Sequence, residues 1–172
     1  MRPAMAAIGC GVALLTIAAL APRAAQPPVD VRREERFEGS WSASGRRQTL
    51  ATETGRAAAI TSLSGAIVLK NADGFAAGFQ GEAIGFDDGG HSSGRAVWTD
   101  SRGDRVFSTL SGEALQQGRR VTGTITGGTG RYAGATGEYE LTWQYAVADE
   151  SDVVHGRSSD LRGRVRRPEG SR

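Results

Sequence analysis

The chain of 172 residues carries 21 basic and 19 acidic residues and a single cysteine. Two of the bases, Arg2 and Arg23, lie in an N-terminal stretch without acids, so the chain after Ala25 is balanced at 19 residues of each sign. That balance excludes the basic footprint of a general nucleic-acid binder, and one cysteine excludes an internal disulfide.

Residues 1–25 read as a secretory signal peptide. Arg2 opens it, Ala6 to Ala21 is an uncharged apolar run, and small residues follow. Cleavage after Ala25 places Arg23 at the −3 position; cleavage after Ala21 satisfies the small-residue rule but leaves Pro22 next. An uncleaved leader would anchor the chain in a membrane, since about 17 apolar residues is the lower edge of a span. Cys10 falls inside this leader, so the exported part has no cysteine and must rely on burial and a closed hydrogen-bond network. Removing 25 of the 172 residues leaves 147, which suits one domain with a sizeable core. The expected location is periplasmic or extracellular.

Residues 26–36 are polar, contain Pro27 and Pro28, and read as a flexible linker. From Phe37 onward no helical period appears. Short alternating runs punctuated by glycine predict strands at Phe37–Ala43, Arg47–Thr54, Ala57–Lys70, Gly78–Phe86, Gly94–Thr99, Arg105–Leu115, Arg120–Thr126, Gly137–Ala148 and His155–Arg166. Turn signals separate them at Asn71-Ala72-Asp73-Gly74, Asp87-Asp88-Gly89-Gly90, Asp100 to Asp104 and Gln116-Gln117-Gly118. Short connections imply an antiparallel meander. Long strands with internal glycines favour a closed barrel over a sandwich. The arginines between Arg157 and Arg172 predict a solvated basic edge strand, and residues 168–172 a disordered tail.

The period of two assigns faces. Tyr139, Leu141, Trp143, Tyr145 and Val147 share one side of their strand, Glu138, Glu140, Thr142 and Gln144 the other. Val121, Gly123 and Ile125 are expected inward, with Thr122, Thr124 and Thr126 outward. Trp98 and Phe107 are further core candidates.

Between these strands lies Thr126-Gly127-Gly128-Thr129-Gly130, which superficially matches a dinucleotide turn. That turn needs a buried parallel strand before it and a helix after it. Here the preceding strand alternates with threonine, the following segment is strand-like, and no Lys-Ser or Lys-Thr pair makes a P-loop. The glycines instead predict a sharp turn at the barrel end, with Tyr132 packed over that end and Arg131 paired with a nearby carboxylate.

Ile125 to Leu141 resembles the signature of the allene oxide cyclase and dirigent group of barrels: Gly127, Gly128, Thr129 and Gly130, an aromatic at Tyr132, then Gly134, Ala135 and Gly137 leading into the next strand. The resemblance covers about 20 residues closely, with a looser meander match over Phe37 to Arg166. It implies an all-β fold, a single antiparallel up-and-down eight-stranded barrel of calycin-like shape over residues 37–167, with an apolar cavity. Exported bacterial proteins with this barrel are similar. Only the structural glycines and the Tyr132 position transfer; the polar groups of the plant cyclase and the dirigent acids have no matching positions.

His91, read as a loop tip, and His155 are far apart in polar settings, so no metal site is expected. No Gly-x-Ser-x-Gly elbow accompanies the serines. Glu82, Asp100, Glu113, Glu138 and Glu140 are expected on the outer wall, facing arginines such as Arg95, Arg105 and Arg120. A carboxylate turned inward would instead be a candidate acid. Glu113 is the weak catalytic candidate, since it shares a parity with Phe107 and Leu115. Trp98, Phe107, Tyr139, Trp143 and Tyr145 are core residues that also suit the lining of a ligand cavity. The expectation is a binding barrel for a small apolar or aromatic molecule, without cofactor or nucleic-acid partner and with a membrane partner only if the leader stays. The alternatives are a cyclase-type enzyme and an interaction module that forms homo-oligomers.

Overall fold

A computed structural model describes residues 32–53, 55–70, 75–148 and 152–168. The signal peptide, residues 26–31 of the expected linker, the Asn71 to Gly74 turn and residues 169–172 lie outside the described residues.

Eight antiparallel strands close into one barrel, each bonded to its neighbours in sequence and β1 to β8. They are β1 (Arg32–Glu53), β2 (Arg56–Lys70), β3 (Gly78–Asp87), β4 (His91–Asp100), β5 (Arg105–Ala114), β6 (Arg119–Gly128), β7 (Thr136–Ala148) and β8 (Val153–Pro168). A 3₁₀ turn, Gly130–Tyr132, joins β6 to β7. Among the described residues no helix is long and apolar enough to cross a membrane.

Three expectations change. The two runs Phe37–Ala43 and Arg47–Thr54 are one strand, because Gly45 marks a close approach rather than a turn. A Cβ there would overlap the Ser62 carbonyl of β2, and Gly45 does not have a left-handed φ. Residues 32–36 of the expected linker belong to β1, with Arg33 opposite Arg167 and Glu35 opposite Val165. β8 is not an edge strand: it pairs with β1 on one side and β7 on the other. Closure removes the edges an open sheet would expose.

β8 carries a bulge at Ser159–Asp160 against both neighbours. Register steps by one between Gly39 and Trp41 on β1 and between Glu140 and Gln144 on β7. The inward residues therefore run Val154, Gly156, Ser158 and then Leu161, Val165. The Asp160 carboxylate accepts the Thr142 amide at 2.8 Å and the Ser158 hydroxyl at 2.7 Å. Burial pushes this carboxyl up, but those bonds outweigh it and hold it below its ordinary value.

The core is aromatic and sits toward one end. Phe37 stacks on Phe75 at 5.3 Å, Phe75 meets Phe79 at 5.1 Å and Tyr132 at 5.2 Å, and Trp98 lies 4.6 Å from Tyr139. Inward glycines accommodate these rings. A Cβ at Gly123 would overlap the Tyr139 ring, and one at Gly163 would lie 2.6 Å from Phe37 Cζ. Tyr139, Leu141 and Trp143 face inward as the alternation predicts, and so do Val121, Gly123 and Ile125. The side chain of Val147 lies outside the described residues.

Candidate functional site

The two barrel ends differ. At one end the glycine-rich corner closes the interior. Gly130 has a left-handed φ of 51° and sits so close to the Asp104 carboxylate that a Cβ would overlap it. The Tyr132 amide donates to the Thr129 carbonyl at 2.9 Å, and Tyr132 is fully buried against Phe75 and Phe79. The end-packing expected of Tyr132 is what the structure shows.

The partner of Arg131 is Asp100, which is not on the outer wall: it ends β4 with an inward parity shared with Trp98 and Ala96. Its side chain has 0% exposure. It accepts Arg131 Nε at 2.8 Å, the Tyr132 hydroxyl at 3.0 Å, and the amides of Arg102 at 2.8 Å and Asp104 at 3.0 Å. Burial raises its pKa, but Arg131 and the other donors prevail and hold it below the ordinary carboxylate value. Burial raises the Tyr132 hydroxyl to about 12. These bonds engage both oxygens of Asp100 and close this end of the barrel.

The interior narrows above this plug. A void of about 10 Å³ lies among Trp41, Trp98, Leu110, Tyr139 and Leu161. Here the Tyr139 hydroxyl and Ser108 Oγ share a hydrogen bond of 2.8 Å. Burial lifts the Tyr139 phenol to about 12, so it stays protonated.

Among the described residues, the opposite end, where the β3–β4 and β5–β6 turns lie, is open. A cavity of about 90 Å³ enters there, lined by Trp41, Leu63, Leu110, Val121, Trp143 and Tyr145, with Asp87 and Arg119 also in its wall. The Trp41 and Trp143 rings meet at 5.0 Å, and Trp143 meets Tyr145 edge-on at 6.3 Å. Tyr145 is 37% exposed, at the rim, and the Arg47 guanidinium lies 5.9 Å from its ring centroid. Asp87 Oδ2 accepts Arg119 at 2.5 Å and faces Arg47 at 3.5 Å, while Oδ1 accepts the Gly89 amide at 2.8 Å. Both carboxylate oxygens are therefore engaged. Arg47 Nε, Arg119 Nη1 and the indole nitrogens of Trp41 and Trp143 are buried without a hydrogen-bond partner among the described residues.

The expected aromatic set does not form one site. Trp98 and Tyr139 belong to the packed half, and Trp143 and Tyr145 to the open half. Phe107 is a correction: it points outward and is half-buried. The inward residues of β5 are Val106, Ser108, Leu110 and Gly112. Small groups take this side because neighbouring strands send bulk across it: Ser108 meets Tyr139, and a Cβ at Gly112 would lie 3.1 Å from Arg119 Cδ. Glu113 shares the outward parity of Phe107 and is exposed, on the outer wall as expected, so it does not meet the condition for the weak candidate acid. Of the other carboxylates, Glu82 is exposed, while Glu138 and Glu140 pair with Arg164 and Arg162 of β8 rather than with Arg95, Arg105 or Arg120.

His91 is exposed and begins β4 instead of sitting at a loop tip. Asp88 makes the turn, accepting the His91 amide at 2.9 Å and the Gly90 amide at 3.2 Å, and these bonds lower its pKa. No group of three or more His, Cys, Asp or Glu side chains converges as a metal site among the described residues.

Sequence reasoning missed Trp41, Asp87, Arg47 and Arg119. One signal was available: Asp87 shares the parity of Phe79 and Gly81, and Arg119 that of Val121. Compared with protein-family models, curated proteins and solved structures, the chain shows no match.

Proposed function

We propose that this protein is a non-enzymatic binding barrel, acting outside the cytoplasm, that holds a small apolar or aromatic molecule in the open half of its interior. The cavity between Trp41 and Trp143 carries this reading: its wall is largely apolar, it opens to solvent, and the other half of the barrel is filled. Eight-stranded barrels have room for one small ligand. The likeness of Ile125–Leu141 to the allene oxide cyclase and dirigent signature supports the same reading, as it implies an apolar cavity. Binding is preferred to acid catalysis because Asp87, the carboxylate in the cavity wall, has both oxygens engaged by arginine and backbone donors. The leader's composition supports export.

Native mass spectrometry of the protein purified from the exported fraction tests this. A stoichiometric small molecule released on gentle activation is the expected result. An empty protein that also leaves hydrophobic dyes silent overturns the binding reading.

A second reading has one observation in its favour. Ile60 and Phe86 are direct partners across β2 and β3, and both are about half exposed, as is Ile84 nearby. Clustered exposed apolar side chains mark association surfaces, so the outer wall is suited to joining copies of the chain. Sedimentation of wild type and Phe86→Lys tests it: a wild-type oligomer that the lysine dissociates supports the reading, and a wild-type monomer overturns it.

A further inference from the structure

Among the described residues, Arg119 in the cavity wall and Arg47 beside it carry hydrogen-bond donors that no protein group uses. Arg47 and Arg119 face one carboxylate, Asp87, whose oxygens are already engaged. Arg119 is 16% exposed in its side chain, yet its Nη1 has no partner, and neither has Arg47 Nε. Leaving buried donors unmet costs free energy, most of all for charged groups. A purely apolar occupant would seal this excess in, whereas an anion would satisfy it.

We infer that the ligand is a small monocarboxylate, with its apolar end among Trp41, Leu110, Val121 and Trp143 and its carboxylate at Arg119 and Arg47. This rests on the binding reading above. Size sets a limit: an engineered apolar cavity of about 150 Å³ holds benzene, so about 90 Å³ with an open mouth takes a short branched chain, or a ring only part of which enters. Polarity runs the same way, since the apolar residues lie inward and the arginines lie at the entrance. Guanidinium favours carboxylate because its planar fork matches the two oxygens.

Titration of the exported protein with benzoate and with benzyl alcohol, followed by tryptophan fluorescence and calorimetry, tests the inference. The branched pair 3-methylbutanoate and 3-methylbutanol repeats it at smaller size. The acid should bind about tenfold or more tighter than the alcohol. Arg119→Gln should remove most of that preference, and Arg47→Gln should reduce it. Equal affinity of acid and alcohol in wild type overturns the monocarboxylate assignment but leaves the apolar cavity standing. No binding by any of the four probes overturns both. A preference for the acids that survives both arginine variants overturns the assigned head-group position. The wild-type comparison needs no variant, so it holds even if an arginine replacement fails to fold.

Discussion

Tyr139 and Gly123 are direct partners across β7 and β6, and the phenol ring fills the space a Cβ at 123 would occupy. The ring has little room to retreat: Trp98 lies 4.6 Å away, and the hydroxyl is bonded to Ser108. Gly123→Ala should therefore destabilise the barrel by about 1–3 kcal/mol through overpacking, read as a lower urea midpoint with an unchanged slope. An unchanged midpoint would show that the ring moves freely. Tyr139→Phe should cost about 1 kcal/mol by leaving Ser108 without its partner.

Asp100 anchors the closed end. Asp100→Asn leaves the largely buried Arg131 charge unmatched, and removing one member of a buried pair costs about 3 kcal/mol or more. The sign of the pH effect follows from the lowered pKa. The stabilisation is present above the ordinary value of 3.8 and is lost as pH falls through the lower folded-state value. Melting temperatures from neutral to strongly acid pH should fall steeply below that ordinary value in wild type, and less steeply, from a lower start, in Asp100→Asn. Parallel curves would refute the assignment.

The alkaline limb has the opposite sign. Tyr132 and Tyr139 are raised from 10.0 to about 12. Between those values the unfolded chain releases protons that the folded chain keeps, so stability should decline as pH rises from about 10 to about 12. Phenolate absorbance should show two late-titrating tyrosines. Tyr132→Phe and Tyr139→Phe should each remove one of them, and a late transition that persists when both are replaced together would contradict this.

The outer wall should behave differently. Arg164 and Glu138 are paired across β8 and β7 but are about half exposed. Solvent-exposed pairs contribute little. Arg164→Gln should leave the urea midpoint near wild type at about 0.15 M salt, where exposed charges are screened beyond about 8 Å. A large drop would show that the β7–β8 seam depends on charge.

Much of the barrel was legible before any coordinates. Alternation placed Tyr139, Leu141 and Trp143 on the inner face, and the glycine corner located Tyr132 at a barrel end. Strand joins and β5 were harder. Gly45 looks the same in sequence whether it turns the chain or lets two backbones approach. In Arg105–Leu115 both parities carry apolar residues, so Phe107 and Glu113 could not be sorted from Val106 and Leu110 by pattern alone. The mouth arginines were illegible for a different reason: whether an arginine at a strand end faces solvent or a cavity depends on how far the barrel extends beyond it.

Local physics is written in the chain itself: the period of two, the turn chemistry, and the absence of any helical stripe or disulfide determine an antiparallel all-β chain. What depends on closure is different in kind. β8 shifts its inward set by one residue at Asp160 because it must match β1 and β7 at once. Asp100 becomes a buried anchor, and Asp87, Arg47 and Arg119 converge, only when strands distant in sequence meet around a ring. Those contacts are long-range, and a one-residue change of register exchanges the inner and outer faces, so tertiary structure alone decides which charges guard the cavity.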